Sequence, residues 1–133
     1  MQGDTQPATP QKLGKKAKGI AARNSGYNAE DAAAAWLTAQ GLRVVERNVR
    51  YTFGEIDIVA WHGAVLVLFE VRLRNNRRFG SAAASITPTK QARLWAAAEA
   101  YAAKLSPTPP MRIDVLAYDG MNSEPQWIHN ALG

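Results

Sequence analysis

A chain of 133 residues without cysteine has room for a single core and excludes disulfides and thiolate zinc sites. Its two histidines, at 62 and 129, lie too far apart for a histidine-rich metal site; no apolar run reaches the ~18 residues of a membrane span, and no apolar signal core opens the sequence. The net charge of +5 is unevenly placed: residues 1–25 hold five cations (Lys12, Lys15, Lys16, Lys18, Arg23) against Asp4 alone, leaving the rest close to neutral.

That basic stretch, broken by Pro7 and Pro10, is expected to be a disordered tail, with residues 26–133 as one domain. Two uses of the tail stay open, a solubilising extension and a phosphate-binding arm. A cytoplasmic setting is compatible with the lack of cysteine.

The first predicted helix runs from Ala29 to Gln40, capped by Asn28 or Ser25 and closed by Gly41, with Ala33, Ala34, Trp36 and Leu37 on its apolar side. Glu30 stands one turn before Ala34, on the face turned to the core. It is either an exposed first-turn acid favoured by the helix dipole or an inward functional group. Leu42 to Thr52 reads as the first strand.

Gly54 to Trp61 then alternates apolar and polar residues, as a half-buried strand should. His62-Gly63 supplies a tight turn into a strongly apolar second run, Val65 to Leu73. A loop centred on residues 62 and 63 pairs Trp61 with Ala64, Val59 with Leu66, Asp57 with Leu68 and Glu55 with Glu70. One face then carries Ile56, Ile58, Ala60, Val65, Val67, Phe69 and Val71. The other carries Val59, Trp61, Leu66 and Leu68 near the turn, and Asp57, Glu55, Glu70 and Arg72 further away. Asp57 and Glu70 fall on a diagonal, with Cβ atoms roughly 7 Å apart or less. Carboxylates that close repel unless neutralised, and a divalent metal is the usual neutraliser. The competing reading is that Glu55 and Glu70 pair with Arg72 and Arg74 on a solvated sheet face.

Arg72, Arg74, Arg77 and Arg78 fall within seven residues around a predicted turn at Asn75-Asn76. Such a run is usually a solvated face, but this one continues from the acidic cluster and points to phosphate contact. Ser81 to Ile86 is ambiguous. Thr87-Pro88 opens a helix to about Leu105, with Leu94, Ala98, Tyr101 and Leu105 on a core stripe. Met111 to Tyr118 is a further strand, and Trp127-Ile128 a short edge strand. The order α-β-β-β-α-β predicts an α/β fold, a mixed central β-sheet flanked by helices.

Asp57 followed by Glu70-Val71-Arg72 resembles the Asp…Glu-x-Lys signature of restriction-endonuclease-like nucleases. More closely, the run from Gly26 to Asp119 is similar to the YraN-like family of small bacterial proteins. The likeness rests on Gly26-Tyr27-Asn28-Ala29-Glu30, Gly54 to Ala60, Glu70-Val71-Arg72-Leu73-Arg74, Phe79-Gly80 and Lys90, in that order.

The resemblance implies a restriction-endonuclease-like fold and a metal-dependent DNA endonuclease, acting on branched or damaged DNA, as some resolvase-like relatives do. It implies Mg²⁺ (or Mn²⁺) held by Asp57, Glu70 and the carbonyl of Val71, with Glu30 reaching the metal through water. Arg72 departs from the signature's lysine: arginine cannot shed a proton to activate water, but it can clamp a phosphate. Lys90 is either the substitute cation or an ordinary first-turn lysine. Arg72, Arg74, Arg77, Arg78 and Lys90 are the expected nucleic-acid contacts, and a homodimer is the expected way to cut two strands. The alternative is a non-catalytic nucleic-acid-binding protein that keeps the fold.

Overall fold

A computed structural model describes residues 28–74, 86–120 and 124–132. The tail 1–25, Gly26-Tyr27, Asn75-Asn76, Arg77, Arg78, Phe79-Gly80 and Ser81 to Ser85 lie outside the described residues, as do the side chains of Asn28 and Arg74. The elements are helix α1 (Asn28–Ala39), strands β1 (Arg43–Tyr51), β2 (Gly54–His62) and β3 (Val65–Arg74), helix α2 (Pro88–Ala102), and strands β4 (Met111–Asp119) and β5 (Gln126–Ile128). The strands lie side by side in sequence order. Neighbours run antiparallel except β3 and β4, which are parallel and joined through α2. This is the expected mixed sheet with helices, and β5 is the edge strand foreseen at Trp127-Ile128.

Helix α1 ends as its glycine requires. Gly41 takes φ +97, its amide bonds the Thr38 carbonyl at 3.0 Å, and the Leu42 amide reaches back to Leu37 at 3.1 Å. Those two bonds satisfy carbonyls the helix leaves open, and Leu37 and Leu42 are buried in one cluster. Helix α2 stops at Ala102, short of the expected Leu105, whose amide bonds the Ala102 carbonyl in a tighter turn at 3.0 Å. Leu105 still packs on the core.

The two helices cover opposite faces. Ala33, Leu37, Ile58, Ala60, Val67, Phe69, Leu116 and Tyr118 form the core under α1. Val59, Leu66, Leu68, Ile113 and Val115 pack against Leu94, Ala97, Ala98 and Tyr101 of α2. Each fully buried leucine or phenylalanine there contributes about 1.5–3 kcal/mol.

Two expectations about the hairpin need correction. His62 pairs with Val65, Trp61 with Leu66, Val59 with Leu68 and Ile58 with Phe69, two residues from the expected register. The loop is Gly63-Ala64, because Gly63 takes φ +64 and lets His62 and Val65 add a rung. A two-residue slip leaves every side chain on its face, so the face assignment survives for most of the strand. Ile56 is the exception: it joins the α2-side cluster while Ile58 joins the other. On β1, Asn48 takes φ +56 between the rungs Arg47–Ile58 and Val49–Ile56, which breaks the pleat at the level of Asp57.

Candidate functional site

The site forms where the pairing of β2 and β3 stops. No backbone rung follows Ile58–Phe69, so Asp57 and Glu70 are the next residues on the two strands. Continued past Ile58–Phe69, the observed register would bring them level with each other instead of on a diagonal. The Val71 amide, available once the ladder ends, donates to Asp57 Oδ2 at 2.8 Å. That bond fixes one carboxylate at the mouth of the splayed strands.

Helix α2 brings a cation to the other. Thr87 caps it, accepting from the Lys90 amide at 3.1 Å, and Pro88 occupies its first turn. The helix lies so close to the start of β2 that a Cβ on Gly54 would stand 2.3 Å from the Arg93 carbonyl oxygen. This approach puts Lys90 Nζ 3.7 Å from Glu70 Oε2, where Arg72 Nη1 also arrives at 3.1 Å. Both cations meet the same oxygen.

Glu70 is only 3 % exposed. Burial and, after it, the Asp57 carboxylate push its pKa up to about 7, against the opposing pull of Lys90 and Arg72. Two cations therefore do not offset burial beside a second acid. A divalent ion would supply what is missing, and hard cations take oxygen donors: two carboxylates, a backbone carbonyl such as that of Val71, and waters. The residues present fit that chemistry at its minimum. Among the described residues no group of three or more His, Cys, Asp or Glu side chains is placed to hold a metal.

Glu30 is buried at 3 % exposure, which removes the exposed first-turn reading. Its Oε1 lies 3.5 Å from Arg47 Nη2, which also bonds Asp31 Oδ1 at 2.7 Å. Arg47 pairs with Ile58, the neighbour of Asp57, so α1 is tied to β1 beside the acidic pair. The pairing expected of a solvated face is only half present. Glu70 does bind Arg72, but it is buried, and Glu55 turns to Arg50 at 3.4 Å.

Sequence reasoning missed a second polar centre on the neighbouring strand, where Asp114 pairs with Phe69, one residue from the level of Glu70. Asp114 on β4 is fully buried and accepts from Trp127 Nε1 at 2.8 Å, from the Asn130 amide at 2.7 Å and from Arg112 Nε at 3.0 Å. Arg112 Nη2 lies 2.9 Å from His62 Nδ1. Trp127 meets Trp36 edge-on and His62, His129 and Phe69 at a tilt, with ring centroids 4.2–6.1 Å apart. An acid at the second position of the otherwise apolar run Ile113 to Tyr118 was the signal available.

Residues 29–118 match the model of the uncharacterised protein family UPF0102. A "UPF0102 protein" of Janthinobacterium sp. (strain Marseille) is 45% identical over 108 residues, covering 81% of this chain and 86% of the relative. Another of Cupriavidus metallidurans is 50% identical over 108 residues, covering 80% and 79%. A third, from Klebsiella pneumoniae, is 41% identical over 123 residues, covering 90% and 94%.

Proposed function

The chain belongs to the UPF0102 family, the YraN-like proteins, and on that premise we propose that it is a Mg²⁺-dependent (or Mn²⁺-dependent) DNA endonuclease with its active site at Asp57 and Glu70. The observation that carries this reading is the buried Glu70, held protonatable near neutral pH beside a second carboxylate at the point where the strands part.

Hydrolysis of a phosphodiester needs a water to attack phosphorus and the opposite ester oxygen to leave. Asp57, Glu70 and the Val71 carbonyl would hold the ion, and Glu30 on α1 would stand near enough to reach it through water. A bound Mg²⁺ supplies an activated water and neutralises the developing charge. Arg72 grips the phosphate, and Lys90 adds a cation that can orient the water or leaving oxygen. Arg74, Arg77 and Arg78 extend phosphate contact along the domain of residues 26–133, and residues 1–25 are either a further phosphate-binding arm or a solubilising extension. Branched or damaged DNA is the proposed substrate, in a cytoplasmic setting. A homodimer provides a second cut. No described helix is long and apolar enough to cross a membrane.

The second reading is a binding protein without turnover. It is favoured by one observation, an arginine at position 72 that already engages Glu70 at 3.1 Å. Cleavage of linear, flapped and four-way DNA with Mg²⁺ or Mn²⁺ separates the two. The nuclease reading expects turnover that falls at least about a hundredfold in Asp57→Ala and Glu70→Ala. Turnover unchanged in both variants removes this site, and binding without any turnover establishes the second reading. A gain of activity in Arg72→Lys would show a site complete apart from its cation.

A further inference from the structure

Burying a guanidinium is unfavourable unless its donors are met. Arg50, near the end of β1, is 9 % exposed, and its Nε and Nη1 are buried without a hydrogen-bond partner. Its Nη2 donates to Glu55 Oε2 at 3.4 Å, long for a charge-assisted bond. The Glu55 side chain is 37 % exposed.

The position of this unmet cation is telling. Arg50 pairs with Glu55, two residues along β2 from Asp57, roughly 7 Å of strand. Neighbouring atoms on the same strand are unmet as well: Arg47 Nε, Asn48 Oδ1 and Tyr51 Oη. Arginines with purely structural roles usually find carbonyls or carboxylates for their donors. Here the donors stay open near the end of β1, two residues along β2 from Asp57 and on the sheet face turned away from α2, across the sheet from Glu70.

We propose that Arg50 binds a phosphate of the nucleic-acid strand held at Asp57 and Glu70, and that the Glu55 carboxylate occupies this place until the strand arrives. The identity of the strand rests on the nuclease reading; the phosphate chemistry rests on Arg50 itself. The two terminal nitrogens of a guanidinium present parallel N–H groups that match two phosphate oxygens. Displacing Glu55 frees Nη2 and gives Nη1 the partner it lacks. Glu55 returns to water with little loss, being already partly exposed.

The test uses the full-length chain in EDTA at low salt, titrated with inorganic pyrophosphate by calorimetry and with a short labelled duplex by anisotropy. Arg50→Met is expected to weaken both ligands about tenfold or more, and Arg50→Lys to weaken them less. Glu55→Gln is expected to tighten both, and that gain should vanish in the double variant with Arg50→Met. Melting curves verify folding, and Arg50→Met should melt no lower than wild type because it removes unmet donors. The proposal is overturned by no pyrophosphate binding in wild type, by unchanged affinity in Arg50→Met, or by a Glu55→Gln gain that survives in the double variant. Loss of pyrophosphate affinity with unchanged duplex affinity overturns the assignment to a strand and leaves a site for free phosphate. Absence of DNA cleavage in wild type would sink the nuclease reading, while the pyrophosphate titration would still decide for or against Arg50.

Discussion

Glu70 and Asp114 are both acids buried in the same sheet, yet they are built to opposite ends. Asp114 receives an indole N–H, a backbone amide and a guanidinium, and so joins β4 to β5 and to the residues after it. Glu70 receives two cations at one oxygen and faces a second carboxylate. A buried acid with its acceptors filled by fixed donors is architecture. One crowded against a like charge, at a place where the backbone ladder has stopped, has a charge its neighbours do not settle, which is what the proposed metal site would use. The difference lies in the partners, since burial is nearly the same: 0 % exposed against 3 %.

The sharpest way to break this contrast is to remove Asp114. Asp114→Ala leaves Arg112, the Trp127 indole and the Asn130 amide without their acceptor. The expected loss is about 3–5 kcal/mol, a fall in Tm on the order of 10 °C or more, with phosphate affinity of the folded fraction unchanged. A melting curve that barely moves would show that Asp114 is not structural.

Gly54→Ala comes next. The new methyl would meet a backbone carbonyl at 2.3 Å, which cannot swing aside as a side chain can. A loss of about 1–3 kcal/mol is expected, read by denaturant unfolding. Because α2 must shift, Lys90 moves relative to Glu70, so catalytic rate should fall by more than stability alone accounts for.

At Glu70 the sign reverses. Its folded-state pKa of about 7 lies above the ordinary 4.5, so the folded protein binds more protons than the unfolded chain between those values. Stability contributed by the protonated form is present at low pH and lost as pH rises through that window. Glu70→Gln removes the dependence. Its Tm relative to wild type should therefore rise between pH 5 and pH 8, by the equivalent of roughly 1–3 kcal/mol. A gap that stays flat across this range would mean Glu70 is not held in the raised state.

Deleting residues 1–25 should change Tm least. If they form a phosphate-binding arm, the slope of log K against log[salt] for duplex should flatten by roughly 0.9 for each phosphate the arm had neutralised. An unaltered slope leaves them a solubilising extension.

Much of this was legible in the sequence because the signals were local. Gly41, the Thr87-Pro88 start and the alternation of Gly54 to Trp61 each fix their element through nearby atoms. The shared face of Val59, Leu66 and Leu68 was readable because an even slip in register does not change faces. What was not legible depended on meetings across the fold. The rung missing at Asp57, the turn of Ile56 to the other core, the closeness of α2 to Gly54 and the choice of Arg50 by Glu55 are set by neighbouring strands. Nothing within β4 alone fixes the role of Asp114, because the groups that close over it, Trp127 and Asn130, lie beyond β4 in the chain.

The contrast between the two acids is tested most directly by adding Mg²⁺, then Mn²⁺, to full-length protein at pH 8 and following Tm in wild type, Asp57→Asn, Glu70→Gln and Lys90→Met. An ion held by the acidic pair should raise the Tm of wild type and of Lys90→Met in a saturable way and leave both acid variants unmoved. An equal rise in Asp57→Asn and Glu70→Gln, or no rise with either metal in wild type, would contradict the account.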